Sequence, residues 1–180
     1  RGHRVLVVDS GVLGEPAFVP YVSRDEVAAA AGVSLGELVS ERDRGRAVTA
    51  MSRGVTVVVQ RMLEQGELDA VIAMGGGAGT SVGTAAMRGL PLGIPKVMVS
   101  TVAGGNVSAY VGNSDIVMFP SVVDVAGLNA VSRRVLANAA HALAGMATRA
   151  TASTSDRPAI GMTMFGVTTV CVDAVRRTGS

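Results

Sequence analysis

Leu68-Asp69-Ala70-Val71-Ile72-Ala73-Met74, followed at once by Gly75-Gly76-Gly77-Ala78-Gly79, is the stretch that decides how this chain is read. A short apolar run ending in glycines predicts a buried strand that enters a tight turn. Thr80 and Ser81 then open a small-residue helix through Met87, closed by Gly89 and Pro91. Residues 96–100 (KVMVS) read as the next strand, so strand, turn, helix and strand form a βαβ unit.

The same alternation continues in both directions. Downstream, residues 101–113 carry Gly, Ser and Asn and predict a long loop before a strand at 115–119 (DIVMF). A helix over 127–148 follows, with Leu128, Val131, Val135, Ala139, Ala142 and Met146 on one stripe. Upstream, residues 4–9 (RVLVVD) predict a buried strand and residues 10–20 a loop with two Gly and two Pro. Ser23 with Glu26, and Ser34 with Glu37, have the spacing of capping boxes, and Gly32 stops the first of these helices. Between residues 46 and 65, Ala47, Met51, Val55, Val58 and Met62 recur at steps of three and four, an amphipathic helix ended by Gly66. Residues 55–59 taken alone resemble a strand, but they sit inside that long helical period and are assigned to the helix.

Short strands alternating with helices predict an α/β fold, an open parallel sheet with helices on both faces. Right-handed crossovers place every strand-to-helix turn on one edge, the carboxyl edge where such sheets bind ligands. Residues 1–148 form this nucleotide-binding-type unit. The Thr/Ser-rich stretch 149–157 predicts a linker, and a strand at 159–165 with a turn at Gly166-Val167-Thr168-Thr169 begins a second α/β unit over 158–180.

Composition narrows the function. Aromatics are 3% of the 180 residues and Trp is absent, which argues against single-stranded nucleic-acid binding by stacking. The net charge is +2, and basic residues alternate with acids, as in Glu41-Arg42-Asp43-Arg44, so no nucleic-acid footprint appears. Cys171 is the only cysteine, and no apolar run nears the roughly 20 residues of a membrane span. A cytoplasmic protein is expected.

The glycine turn is the sharpest chemical signal. Four glycines let backbone N–H groups approach an anion, and the helix that follows adds roughly half a positive charge at its start. Thr80 and Ser81 bring hydroxyls to the same place. No Gly-Lys-Ser/Thr follows, so this is not a P-loop, and the spacing fails the dinucleotide fingerprint. A tight turn that merely needs glycine is the alternative. A second candidate is Ser100-Thr101 leading to Gly104-Gly105-Asn106, which should emerge beside the first. A third is Asp124, either a ribose or metal-water ligand or the cap of the helix near Gly127. No hydrolase elbow, zinc-binding His pair or Cys pair is present. His141, among alanines, reads as partly buried packing, and Cys171, between valines, as an inert core thiol.

One ordered series of segments goes further: Gly75-Gly76-Gly77-Ala78-Gly79-Thr80, Leu90-Pro91-Leu92-Gly93-Ile94-Pro95-Lys96-Val97-Met98-Val99-Ser100-Thr101, Tyr110-Val111-Gly112-Asn113-Ser114-Asp115, Ser121-Val122-Val123-Asp124-Val125-Ala126-Gly127-Leu128-Asn129, Ala144-Gly145-Met146 and Met162-Thr163-Met164-Phe165-Gly166-Val167-Thr168-Thr169. It resembles the family of the tomato mosaic virus resistance protein, whose amino-terminal region is an ATP-binding domain. Bacterial relatives of that family are mostly of unassigned function. The resemblance implies a Rossmann-like architecture of two subdomains, ATP (with or without Mg) as ligand, and self-association into a homo-oligomer. A protein partner is a further expectation: the plant member binds viral replication proteins, but that antiviral role belongs to a different surface and a particular partner and is not carried over. By position it makes Gly75, Gly76, Gly77, Ala78, Gly79, Thr80 and Ser81 the phosphate cradle and Ser100, Thr101, Gly104 and Gly105 its neighbour. Thr168 and Thr169 begin the second subdomain's share. The family has a further strand and glycine-bearing turn ahead of the segment corresponding to residue 1, and most of its second subdomain beyond residue 180.

Three functions are consistent with these residues. The first is a nucleotide-binding regulatory or interaction domain. The second is an enzyme acting on a small phosphorylated or carboxylated substrate, with Ser100, Thr101 or Asp124 doing chemistry. The third is an oligomerisation module built on Ala139, Ala140, Ala142, Ala144 and Gly145.

Overall fold

The computed structural model describes residues 2–124, 127–148 and 169–178. The chain divides into two compact units, residues 1–150 and 151–180, and the division falls inside the stretch expected to be a linker. The stretch itself, and the strand expected at 159–165, lie outside the described residues.

In the first unit, α1 (Arg24–Ala30) and α2 (Leu35–Glu41) start at Ser23 and Ser34, and both make the full capping box with the glutamate three residues on. Helix α3 (Arg44–Glu64) runs unbroken through residues 55–59, because Val55, Val58 and Val59 all fall on its buried face. It crosses α1 so closely that a Cβ on Gly54 would lie 1.9 Å from the Val27 carbonyl oxygen. Strand β1 (Val71–Gly75), helix α4 (Gly77–Arg88) and strand β2 (Lys96–Ser100) form the expected βαβ unit. The segment after β2 contains one helical turn, α5 (Ser108–Val111), where the sequence predicted only loop. Strand β3 (Val117–Pro120) and helix α6 (Ala130–Thr148) complete the unit.

The three strands are parallel in the order β1-β2-β3, with Gly75 opposite Ser100 and Ser100 opposite Pro120. The middle strand is buried throughout. Its Met98 faces α4, where it meets Gly83, while Val97 and Val99 join Ala139 and Val135 of α6. Burying a Val or Met side chain contributes roughly 1.5–3 kcal/mol, so β2 anchors helices on both faces. The fold is therefore an open parallel α/β sheet, consistent with a Rossmann-like fold. On the α4 side, α1, α2 and α3 extend the core outward.

Three expectations about these elements need correction. Residues 4–9 form no strand of the sheet: Val8 makes a single parallel bridge with Val22, and Val5 is 79% exposed. A strand needs a neighbour along its length, and among the described residues this segment's backbone meets only Tyr21 and Val22, through Val7 and Asp9. Among the described residues β1 pairs with β2 alone, and it is not the buried strand expected, since Ile72 and Met74 are exposed on one face. Helix α6 starts at Ala130 because Asn129 caps it, Oδ1 accepting from the N–H groups of Val131 and Ser132 at 2.9 Å. Leu128 and Val131 are consequently exposed, and the packed stripe is Val135, Leu136, Ala139, Leu143 and Met146.

In the second unit the described residues form one helix, α7 (Thr169–Thr178); of the turn expected at 166–169 only Thr169 is described, and it opens that helix. Cys171 is exposed there, not a core thiol. His141 of α6 is exposed as well.

Candidate functional site

The carboxyl edge of the sheet is built around one sharp turn. Gly75 ends β1, and a Cβ there would lie 2.8 Å from the Cα of Gly79, so only glycine lets the chain double back. Helix α4 begins at Gly77, earlier than the expected start at Thr80, and most of the glycine run is thus its first turn. Gly76 is the N-cap and offers no side chain. The first intrahelical bond is Thr80 N–H to Gly76 C=O at 2.7 Å. The N–H groups of Gly76, Gly77, Ala78 and Gly79 donate to no protein atom among the described residues. These are the four orphan donors of a helix start, and no side chain caps them.

Thr80 and Ser100 lie behind the turn rather than in it. Both are fully buried, with their hydroxyl oxygens 2.6 Å apart. Thr80 Oγ1 donates to Gly76 C=O at 2.8 Å, and Ser100 Oγ accepts from Val102 N–H at 3.1 Å. Each hydroxyl has one proton, so Ser100 must donate to Thr80. The result is a relay from Val102 N–H through Ser100 and Thr80 to the Gly76 carbonyl. Because a trans peptide sets C=O and N–H in opposite directions, holding that carbonyl inward turns Gly77 N–H outward. Ser81 Oγ is also committed, donating to Gly77 C=O at 3.0 Å.

Of the second cluster, Thr101 reaches the turn. Its N–H bonds Gly75 C=O at 3.3 Å, and its exposed Oγ1 lies 3.6 Å from where a Cβ on Gly76 would be. Gly104 and Gly105 are exposed in a separate turn closed by Gly105 N–H to Val102 C=O. Thr168 lies outside the described residues, and Thr169 opens α7 in the second unit. Asp124 is exposed after β3, and the capping of α6 falls to Asn129. Among the described residues no three His, Cys, Asp or Glu side chains group as a metal site, and no helix is long and apolar enough to cross a membrane.

The opposite edge holds a polar cluster that sequence reading missed. Lys96 opens β2, about 13 Å of strand from Ser100, and is 1% exposed. Its Nζ donates to Asp115 Oδ1 at 2.6 Å and to Pro91 C=O at 2.7 Å, while Gly93 N–H donates to Asp115 Oδ2 at 2.7 Å. Burial pushes the Asp115 carboxyl up, but the hydrogen bonds from Lys96 and from the Gly93 and Asp115 N–H groups outweigh it and hold it below its ordinary value. The available signal was the chain's single lysine at the head of an apolar strand, which demands a buried partner.

Residues 1–152 match the model of an uncharacterised protein family, UPF0261, specifically its N-terminal domain. The chain is 43% identical over 177 residues to a UPF0261 protein of Clostridium tetani, covering 98% of this chain and 44% of that protein. It is 48% identical over 174 residues to one of Rhizobium meliloti, covering 97% and 43%. It is also 45% identical over 139 residues to the ToMV resistance protein Tm-1 of Solanum lycopersicum, covering 74% of this chain and 18% of that protein. The chain thus spans less than half the length of these relatives. It belongs to the UPF0261 family and carries that family's N-terminal domain.

Proposed function

We propose that this domain binds a phosphorylated small molecule of the nucleotide class, with ATP as the ligand, and serves as a regulatory or interaction module. The observation that carries the reading is the start of α4. Four consecutive N–H groups are unclaimed there, in a helix long enough to add its dipole, behind an N-cap with no side chain to compete. The Thr101 hydroxyl supplies a fifth donor. The cradle is narrower than the full set of sequence candidates: Gly76, Gly77, Ala78, Gly79 and Thr101 face the ligand, while Gly75, Thr80 and Ser100 hold the turn in shape. Magnesium enters with the ligand's own phosphates, as is usual for that ion. A cytoplasmic homo-oligomer that engages a protein partner completes the proposal. The exposed Thr101 hydroxyl also favours a second reading, an enzyme acting on a small phosphorylated or carboxylated substrate.

Calorimetric titration with ATP and with inorganic tripolyphosphate tests the proposal. Heat of binding is expected with both, and silence with both overturns it. Slow turnover of a phosphorylated metabolite alongside binding would move the assignment to the enzyme.

A further inference from the structure

Side chains alternate along β1 and β2. Ala73 and Met98 point toward α4, where both lie against Gly83, so Met74 and Val99 point to the other face of the sheet. On that face, just under the carboxyl edge, Met74, Val99, Val123, Leu128, Val135 and Leu136 line a cleft of about 240 Å³. Its polar side chains are both engaged internally. Ser121 Oγ donates to Val123 C=O at 2.6 Å, and Ser132 Oγ accepts from Asn129 N–H at 2.8 Å and donates to Asn129 C=O at 3.2 Å. The cleft is smaller than the roughly 300–1,000 Å³ that encloses a whole ligand, so it suits one moiety. Met74 is two residues from Gly76, at most about 7 Å along the strand, which puts the cleft and the free amides within reach of a single molecule.

We propose that this cleft receives the flat apolar body of the ligand whose phosphates sit on the amides of residues 76–79, and that it does so without reading the identity of the base. The inference rests on those amides holding phosphate. An apolar wall rewards an aromatic ring and penalises a hydroxylated body of equal charge. Ser121 and Ser132 are 4% and 5% exposed and have given their protons to the Val123 and Asn129 carbonyls, so neither donates a hydrogen bond to the edge of a base. The ligand class is therefore a nucleoside phosphate or another aromatic phosphate ester rather than a sugar phosphate, and adenine and guanine are accepted alike.

The test uses the full chain and three probes: ATP, GTP and inorganic tripolyphosphate. ATP and GTP are expected within about threefold of each other and at least about tenfold tighter than tripolyphosphate. Met74 and Leu128 are 54% and 62% exposed, so Met74→Gln with Leu128→Gln should leave the fold intact. That double variant should reduce ATP to the affinity of tripolyphosphate while leaving tripolyphosphate itself unchanged. In competition, phenyl phosphate should displace ATP better than glycerol phosphate. Tripolyphosphate binding as tightly as ATP, or an unaffected double variant, overturns the cleft assignment and leaves the phosphate site standing. A preference beyond about thirtyfold between ATP and GTP overturns the indifference to the base. If tripolyphosphate and both nucleotides fail to bind, the phosphate site falls and the cleft assignment falls with it.

Discussion

Strand β2 has polar residues at both ends, and they meet opposite fates. At its start, Lys96 is sealed in: its ammonium has Asp115 and the Pro91 carbonyl, and the second oxygen of Asp115 is taken by Gly93 N–H. At its end, Ser100 is equally buried, yet its hydroxyl belongs to a relay whose far side is a row of unclaimed amides. One edge satisfies its polar groups within the protein; the other uses buried polar groups to keep its neighbours open. Donors left uncapped forgo the stabilisation that a capping side chain gives, typically about 1 kcal/mol. The amino edge is consequently where stability should be lost on mutation, and the carboxyl edge is where binding should be lost.

The largest loss of stability is expected from Asp115→Ala. It leaves the Lys96 ammonium buried with a single carbonyl acceptor; because the Asp115 side chain is itself 41% exposed, the cost is at most about 3 kcal/mol, the lower end for a fully buried pair. Denaturant unfolding measures this, and tripolyphosphate affinity should not change, since the site lies at the other end of the strand. Acid should weaken the same contact. The folded-state pKa of Asp115 lies below its ordinary value, so its contribution is complete above the unfolded-state value and disappears as pH falls through the folded-state one. The parent should therefore lose more stability than Asp115→Ala does as pH drops below about 4. Parallel acid unfolding curves for the two proteins would mean that the pair contributes nothing.

Some of this contrast was legible in the sequence. Residues 96–100 are β2 to the residue, because an apolar run between a Pro and a Thr-Gly-rich segment has few other solutions. The capping boxes at Ser23 and Ser34 were readable because both partners lie within four residues. What was hidden depends on distant partners. Residues 4–9 have strand composition but only a one-residue bridge to pair with, and pairing is not written in a segment's own residues. Thr80 and Ser100 look like ligand hydroxyls because they flank a glycine turn, and nothing local reveals that they face each other across 2.6 Å of core. The Asn129 cap was recoverable, since Asn129 and Ser132 have capping spacing immediately before the helix.

A smaller loss should follow from Thr80→Val, which keeps shape and removes the hydroxyl at the centre of the relay. Ser100 then has a buried proton without its acceptor, a cost of about 1–3 kcal/mol. The Gly76 carbonyl keeps only the Thr80 N–H, so the outward set of the Gly77 amide loosens and tripolyphosphate affinity should fall as well. Thr80→Ser restores the hydroxyl and should recover the affinity more fully than the stability, because the methyl it lacks is fully buried. Equal affinity in the valine variant and the parent would show that the turn keeps its shape without the relay.

The smallest change in stability, with the sharpest effect on binding, is expected from Gly77→Asp. A Cβ at Gly77 meets nothing within 4 Å, and the residue is exposed, so the side chain is accommodated. A carboxylate in the first turn of α4 interacts favourably with the helix dipole, by about 0.3–1 kcal/mol, and the variant should unfold at slightly higher denaturant than the parent. That same carboxylate occupies the space and cancels the charge that a phosphate would use, so tripolyphosphate and ATP should no longer bind. Opposite signs in the two measurements separate a ligand site from a turn that merely needs glycine. A variant that gains stability and still binds ATP like the parent would place the phosphates somewhere other than the start of α4.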